Sequence, residues 1–283
     1  MSLLLSICIP TFNRAEKLKE TLSYISRELS QVDNKKELEI IISDNASSDN
    51  TTLIVKEFAE RSSTDVKIKY NKNQTNIGLL GNIIKLCELS SAKYIWMVGD
   101  DDQYKSGLLN QIINKCHKNY DFIFINHCYI NKDFETISLE DGVIDKNLKE
   151  DKDKIKHLMT QKIGCLMFMS ANIWKREYIK EILKSKVKKN LALPLFFSLY
   201  GSKDWNIGII EDISIIDEVK NISWKDALHQ VYLYDIPYYV NNLHKIGYNK
   251  ELIKEIKNKT HENLLKKRVK YKVRKFIKNF IKK

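Results

Sequence analysis

Residues 94–102 read Tyr-Ile-Trp-Met-Val-Gly-Asp-Asp-Asp, an apolar run of five residues followed by a glycine and three consecutive carboxylates. The run predicts a buried strand, Tyr94–Val98. In an open α/β sheet, ligands bind outside the carboxyl ends of the strands, where the three aspartates would project. Adjacent like charges repel one another, and Mg²⁺ or Mn²⁺ would relieve that repulsion. The cluster therefore predicts a metal site, with a solvated acidic turn that caps the next helix at Ser106 as the alternative.

Strand and helix patterns alternate before this stretch. Runs of β-branched and leucine residues predict strands, and apolar residues spaced by three and four predict helices. Regular alternation implies a mostly parallel sheet with helices on both faces, an α/β architecture for which nucleotide binding is the default candidate function. The predicted strands are Leu3–Ile9, Glu39–Ser43, Val66–Tyr70 and Tyr94–Val98, and the predicted helices are Ala15–Leu29, Asp49–Arg61 and Leu79–Leu89.

Polar loops follow the first three predicted strands. The first loop is Pro10-Thr-Phe-Asn-Arg14. Its proline fixes the backbone, and the planar guanidinium of Arg14 could bind a phosphate or a base. Asp44-Asn-Ala-Ser-Ser-Asp49 offers a carboxylate, Asp44, to a base or ribose, while its second half could cap the next helix. Asn76-Ile-Gly78 with Asn82 lets the backbone approach a ligand at a helix N-terminus. The sequence has neither a dinucleotide-binding glycine motif after the first strand nor a P-loop, which argues against both of those classes.

In order and spacing, these segments resemble the successive motifs of the family 2 glycosyltransferases, which have a Rossmann-like GT-A fold. The last two motifs are most similar to the abequosyltransferase-like branch of bacterial surface-polysaccharide enzymes, and the resemblance covers about residues 3–130. The motifs are Ile7-Cys-Ile-Pro-Thr-Phe-Asn-Arg14, Ile42-Ser-Asp-Asn-Ala-Ser-Ser-Asp49, Asn76-Ile-Gly78 with Asn82, and Val98-Gly-Asp-Asp-Asp102.

The resemblance implies that a sugar is transferred from a nucleotide-sugar donor, with Mg²⁺ or Mn²⁺ and with inversion at the anomeric carbon. The metal is expected on Asp102 first and Asp101 second. Gly99 stands where many members have the first acid, so the remaining aspartates would share the ribose and metal contacts. The residues implied around the donor are Pro10, Thr11, Asn13, Arg14, Asp44, Asn76, Gly78, Asn82, Asp100 and Asp101.

An inverting transfer needs a general base on the acceptor hydroxyl. Many family members have Glu-Asp or Asp in the acceptor half, but no convincing copy of that motif follows residue 130. The candidates are Asp212, Glu211 and Asp204, each of which could instead be a turn or strand-end carboxylate. Trp205 beside Asp204 could stack on a sugar ring, although a tryptophan more often packs in a core.

The C-terminal end accounts for the net charge of +12. Lys245–Lys283 contains fifteen Lys/Arg and three Glu, which leaves 33 residues of each sign (48 − 15 and 36 − 3) in the rest of the chain. Apolar residues spaced by three and four between Leu264 and Ile281 predict a basic amphipathic helix. This helix could lie on an anionic membrane or pack on the domain with a solvated lysine face. No nucleic-acid-binding module accompanies it, so a nucleic-acid partner is not expected.

The length of 283 residues is enough for one GT-A domain, residues 1–222, and a helical extension, residues 223–283. The domain would have a nucleotide-sugar half, 1–130, and an acceptor half, 131–222. Predicted elements after residue 120 are a strand at Phe122–Ile130 and helices at Lys152–Met159, Asn172–Leu183 and Ser223–Leu243, with Trp174 and Trp224 in the core.

Five scattered cysteines predict reduced, buried thiols in a cytoplasmic protein. No apolar run approaches the roughly 20 residues that cross a bilayer, and the N-terminal run lacks the features of a signal peptide. We therefore expect a cytoplasmic enzyme, peripheral at the inner face of the bacterial membrane, that acts on a polyprenyl-linked or other surface-glycan acceptor. A catalytically inactive nucleotide-sugar-binding scaffold on the same fold is the competing hypothesis, because the base motif is missing.

Overall fold

The computed structural model describes residues 2–62, 66–131, 142–219, 227–260 and 262. Strands and helices alternate through the first half of the chain, as the sequence predicts. The buried strands are rich in isoleucine and leucine, and each helix turns its apolar residues towards them. The elements of this half are β1 (Leu5–Thr11), α1 (Ala15–Ser30), β2 (Leu38–Asp44), α2 (Thr51–Arg61), β3 (Lys67–Lys72), α3 (Gly78–Leu89) and β4 (Tyr94–Met97).

The second half adds four strands and further helices. Two single-turn helices, Ile163–Met167 and Met169–Ala171, lead into β7, and residues 227–260 are largely helical. The named elements are β5 (Gln103–Tyr104), α4 (Leu108–His117), β6 (Phe122–Asn131), α5 (Asp151–Gln161), β7 (Asn172–Lys175), α6 (Arg176–Lys184), α7 (Leu193–Gly201) and β8 (Ile207–Val219).

The prediction of a single helix over Asn172–Leu183 is wrong for its first four residues, which form β7. This strand lies between β4 and β6 and pairs antiparallel with both. Ile173 and Trp174 are buried there, so sheet pairing and burial outweigh the helical spacing. The assignment of Trp174 to the core is confirmed, whereas Trp224 lies outside the described residues.

Within the described residues, eight strands form one sheet in the order β3-β2-β1-β4-β7-β6-β8-β5. Strands β1 to β4 are parallel, β6 and β8 run in the same direction as they do, and β7 and β5 are antiparallel. The sheet is thus mixed, with parallel pairs only slightly in excess. The carboxyl ends of β1, β2, β4, β6 and β8 meet at one edge, which we call the carboxyl edge.

A buried carboxylate, Glu28 of α1, holds the N-terminus of α4. Its two oxygens accept hydrogen bonds from the backbone N–H groups of Gly107 and Leu109 at 2.9 and 3.0 Å. Unpaired N–H groups at a helix start favour such an acceptor. Helix α4 is therefore capped from α1 rather than from Ser106, and the aspartates before it are not needed as caps.

The five cysteines are all buried and free of disulfides, as expected from their apolar surroundings. His127 is buried as well, with its ring 4.8 Å from that of Phe168 and 5.7 Å from that of Phe124. Burial lowers the pKa of His127 to about 4. This histidine belongs to the core, so it stays neutral at physiological pH.

Candidate active site

The first aspartate of the cluster joins the carboxyl ends of β1 and β4. Asp100 is 5% exposed, and its two oxygens accept hydrogen bonds from Thr11 Oγ1 at 2.9 Å and Arg14 Nη1 at 2.8 Å. The same Nη1 atom lies 2.8 Å from Asp101, whose side chain is about half exposed. Four residues that the sequence predicts at the donor site, from two motifs about 90 positions apart, are therefore in direct contact.

The charges in this cluster act on one another. Burial raises the pKa of Asp100, Arg14 lowers it, and Asp101 raises it again, so that the net shift is upward. Burial lowers the pKa of Arg14, but Asp100 and Asp101 raise it above its ordinary value, and the guanidinium stays charged. Arg14 thus neutralises part of the repulsion that three adjacent carboxylates produce.

The third aspartate, Asp102, contacts residues outside the predicted donor loops. Its carboxylate accepts a hydrogen bond from Ser170 Oγ and lies 3.4 Å from the Tyr104 hydroxyl. It folds back over Gly99, where a Cβ atom would overlap it. The glycine that stands in place of the family's usual first acid therefore provides space for the carboxylate of Asp102.

An open cleft of about 320 Å³ lies between the three aspartates and helix α1. The ring of Tyr24 in α1 stacks on Tyr104 of β5 with 5.1 Å between centroids, and this pair forms part of the wall. Lys17, Glu20 and Arg27 line the helix side, and Lys17 is paired with Glu20 at 2.8 Å. The aspartate cluster thus borders open space rather than the core.

Two of the predicted donor loops are joined by hydrogen bonds. The backbone N–H of Asn13 donates to Ser47 Oγ at 2.9 Å, and Asn13 Oδ1 accepts from the Ser48 N–H at 2.8 Å. Asp49 accepts from the N–H groups of Ala15 and Thr51, at the starts of α1 and α2. The predicted alternative, that the end of this loop caps the next helix, is confirmed for Asp49.

Asp44 is fully buried at the end of β2. One oxygen accepts from the Ser47 N–H at 2.7 Å, and the other accepts from the Tyr70 hydroxyl at 2.8 Å and lies 3.8 Å from Lys72 Nζ. A carboxylate held on both oxygens has a fixed orientation. Pro10 lies in β1 opposite Ser43, directly beside this strand end.

The third loop is tied to the second through asparagines. Asn45 donates to Asn76 Oδ1 at 2.7 Å and to the Gly78 carbonyl at 3.3 Å, and it accepts from the Ile77 N–H at 3.0 Å. Gly78 adopts a left-handed conformation, φ = 75°, which favours glycine. Asn82 is buried and forms hydrogen bonds with Ser43, which link the start of α3 to the end of β2.

Sequence reasoning missed several residues of this region. Asn45 and Tyr70 bind predicted donor residues directly, and Ser170 and Tyr104 contact Asp102 from outside the motif. Phe12 and Ile77, in the first and third loops, are 40% and 46% exposed. For Phe12, the signal in the sequence was an aromatic residue placed between the predicted contacts Thr11 and Asn13.

The three candidate bases occupy different places. Between the pairs Ile125–Ile210 and His127–Ile215, residues 211–214 of β8 lie opposite a single residue of β6, so Glu211 and Asp212 sit in a bulge. Glu211 lies 2.6 Å from the buried Nζ of Lys154. Within the described part of the chain, no side chain hydrogen-bonds to the exposed Asp212 carboxylate.

Asp204 precedes β8, whose first residue is Ile207. Because β8 runs in the same direction as β4, its start lies at the sheet edge opposite the aspartate cluster. Asp204 lies 2.8 Å from Lys203, and the neighbouring Trp205 packs against Tyr248 with 6.1 Å between ring centroids. The structure therefore does not bring Asp204 together with the predicted donor residues.

The predicted amphipathic helix between Leu264 and Ile281 lies outside the described residues. Across the ranges that the structure does describe, none of the helices combines the length and the hydropathy that a bilayer crossing needs.

Comparisons with known proteins agree with the motifs. The family described as "Glycosyl transferase family 2" matches residues 6–183. The chain is 34% identical over 130 residues to the GalNAc(5)-diNAcBac-PP-undecaprenol beta-1,3-glucosyltransferase of Campylobacter jejuni, covering 46% of this chain and 39% of that protein. It is 37% identical over 100 residues to the abequosyltransferase RfbV of Salmonella typhimurium, covering 35% and 28%. The matches thus span less than half the length of these relatives.

Solved structures show the same fold at low sequence identity. TarS of S. aureus, residues 1–349 in complex with UDP, superposes with a TM-score of 0.65 at 16% identity, covering 90% of this chain and 69% of that one. The mannosyltransferase PcManGT of Pyrobaculum calidifontis, in complex with GDP-Man and Mn²⁺, gives a TM-score of 0.56 at 13% identity, covering 90% and 68%. The α/β GT-A fold and the resemblance to abequosyltransferases are confirmed, and because the family match extends over more than half of its residues, this chain belongs to glycosyl transferase family 2.

Proposed function

We propose that this protein transfers a sugar from a nucleotide-sugar donor to a lipid-linked or surface-glycan acceptor, with a divalent cation and with inversion. The observation that supports this most is the contact of Asp100 with Thr11 and Arg14. It brings the acidic cluster and the first donor loop to one point of the carboxyl edge, where α/β sheets bind ligands. The remaining loops are linked to the same point through Asn13 and Asn45.

The residues present suit Mg²⁺ or Mn²⁺. In the described residues, no group of three or more His, Cys, Asp or Glu side chains could enclose a metal by itself. Mg²⁺ does not require such a cage, because it is usually held by one or two carboxylates together with substrate phosphates and water. Asp102, with Asp101 second, would hold the ion, which stabilises the negative charge on a leaving diphosphate when bound.

The chain's own residues would orient the donor. Asp44 is oriented by Ser47 and Tyr70, and because it is fully buried, a base or ribose would reach its carboxylate only after the Tyr70 hydroxyl moves aside. Phe12 and Ile77 expose apolar surface next to the predicted contacts, which suits the face of a planar base. Arg14 keeps a charged guanidinium at the aspartates, near where the phosphates would bind.

Asp212 is the base that we propose for the acceptor hydroxyl. Glu211 is already engaged by Lys154, and Asp204 lies at the opposite edge of the sheet. The bulge that contains Asp212 adjoins β5, because the Ser214 carbonyl accepts a hydrogen bond from the Lys105 N–H at 2.9 Å. Strand β5 starts directly after Asp102, so this part of β8 is connected to the aspartate cluster.

A panel of nucleotide sugars tests the function. Thermal shift with UDP-, GDP-, CDP- and dTDP-sugars, with and without Mn²⁺, should reveal one base whose sugars raise the melting temperature in a metal-dependent way. At 100 times the dissociation constant, a ligand stabilises the fold by about 2.7 kcal/mol. Slow release of nucleoside diphosphate should accompany binding. Binding without any turnover, with candidate acceptors present, would favour the inactive scaffold, and no binding at all would contradict both functions.

We also propose that the acceptor is lipid-linked and that the protein binds a membrane surface. The Campylobacter relative is named for a PP-undecaprenol substrate, and a carrier of that kind would place the reaction at the inner face of the bacterial membrane. The basic segment after residue 262 would bind anionic headgroups, at about 1 kcal/mol for each basic residue near the surface.

Truncation after residue 262 should therefore abolish co-sedimentation with vesicles that contain phosphatidylglycerol and leave donor binding unchanged. Vesicles of phosphatidylcholine alone are the control, since they offer no net charge to the lysines. Undiminished association of the truncated protein with anionic vesicles would remove the membrane role of this segment.

A further inference from the structure

Ser170, which contacts the Asp102 carboxylate, belongs to neither the donor loops nor the aspartate motif. It lies in the single-turn helix Met169–Ala171, directly before β7 and about 70 positions after the cluster. The residue is buried, and its carbonyl accepts a hydrogen bond from Trp96 Nε1 of β4 at 2.8 Å. Its position at the carboxyl end of β4 is thus fixed by the core.

Ser170 Oγ lies among three hydrogen-bonding groups: the Gly99 N–H, the Asp102 carboxylate and the Tyr104 hydroxyl. The Gly99 N–H can only donate, and it lies 2.9 Å from Ser170 Oγ. The Tyr104 hydroxyl lies 3.0 Å from the Gly99 carbonyl, which can only accept. A serine hydroxyl has a single proton, and the Asp102 carboxylate is its nearest acceptor, closer than the Tyr104 oxygen at 3.3 Å. The arrangement therefore orients the Asp102 carboxylate.

Gly99 contributes space as well as an N–H group. A Cβ atom at this position would overlap the Asp102 carboxylate and would come within 3.1 Å of Ser170 Oγ. Ser170 cannot move away easily, because its backbone carbonyl is held by Trp96, so the Asp102 side chain has to yield. A side chain at position 99 would therefore displace the carboxylate.

We propose that Ser170 and Gly99 are positioning residues that fix the Asp102 carboxylate for the divalent cation. This inference rests on the proposed function, because it takes Asp102 as the metal ligand. A hydrogen bond to one oxygen sets the plane of the carboxylate, and removal of such a partner typically costs about 10–100-fold in metal affinity. Through Ser170, a residue of the acceptor half would determine how firmly the donor half holds its metal.

Mn²⁺ binding to the full-length protein tests this inference. Free Mn²⁺ is followed by electron paramagnetic resonance in titrations with UDP, GDP, CDP or dTDP, beside the melting temperature of every variant. Ser170→Ala should weaken Mn²⁺ binding about 10–100-fold, and Gly99→Ala should do the same by displacing the carboxylate. Ser198→Ala is the matched control, because Ser198 is also buried and bonds to Trp174 and Leu166, away from the cluster.

The combination of the two variants adds a second criterion. Because both act on the same carboxylate, the double variant should lose little more Mn²⁺ affinity than the weaker-binding single variant. If Asp102→Ala loses Mn²⁺ while Ser170→Ala binds it as the wild type or Ser198→Ala does, the positioning role is refuted and the proposed function stands. If the wild type binds no Mn²⁺ with any nucleotide, both are refuted. Should Gly99→Ala fail to fold, Ser170→Ala decides alone.

Discussion

Replacing Asp102 with alanine is expected to slow metal-dependent release of nucleoside diphosphate by about 10³-fold, the scale of losing one preorganised electrostatic stabiliser. Asp100 and Asp101 both contact Arg14, whereas Asp102 contacts Ser170, and Asp102 is the carboxylate that we propose as the first metal ligand. The rate of nucleoside diphosphate release, measured with a coupled assay across a Mn²⁺ titration, checks this prediction. The apparent Mn²⁺ affinity should fall together with the rate.

Asp212→Asn gives the contrasting result if the assignment of roles is correct. A lost general base should lower acceptor-dependent transfer by about 10²–10⁴-fold and leave Mn²⁺ and nucleotide binding intact. Glu211→Gln is the matched control in the same bulge. Since Glu211 is paired with Lys154, that change should alter the melting temperature more than the transfer rate. For the Asp102→Ala prediction, a rate of nucleoside diphosphate release equal to that of the wild type would contradict the proposed metal site.

The donor half could be predicted because its signals are local. Each strand ends in a polar loop within a few residues, and parallel strands bring those ends to one edge whatever the details of packing. The contact of Asp100 with Thr11 and Arg14 follows from the order of motifs, although the residues are more than 80 positions apart. The roles of these residues in binding a donor remain predictions.

The contacts that complete the site could not be read from local patterns. Ser170 lies in a segment without periodicity, and only the antiparallel insertion of β7 beside β4 brings it to Gly99. The capping of α4 by Glu28 joins residues about 80 positions apart. The bulge at residues 211–214 likewise depends on pairing with β6. Tertiary pairing decides such features, and a single sequence does not state which segments pair.

Replacing Arg14 with alanine is expected to destabilise the fold by about 2–4 kcal/mol. Removing one partner of a fully buried ion pair costs about 3–5 kcal/mol, because the other charge is left without compensation. The Arg14 side chain is 29% exposed, so the expected loss is about 1 kcal/mol smaller than for a fully buried pair. Urea unfolding at pH 7, analysed by linear extrapolation, measures the loss. Arg14→Lys should recover part of the stability through its charge but cannot reproduce the planar guanidinium.

The double variant Arg14→Ala/Asp100→Asn separates an uncompensated charge from lost packing. Asparagine keeps an oxygen that can accept the Thr11 hydrogen bond and removes the buried negative charge. The double variant should therefore be more stable than Arg14→Ala alone, with a coupling free energy within the 0.5–3 kcal/mol that neighbouring residues typically show. If the unfolding free-energy changes of the two single variants simply add, the first loop and the aspartate motif are in contact but do not stabilise each other. In that case the contact between them would no longer be evidence for a jointly built donor site.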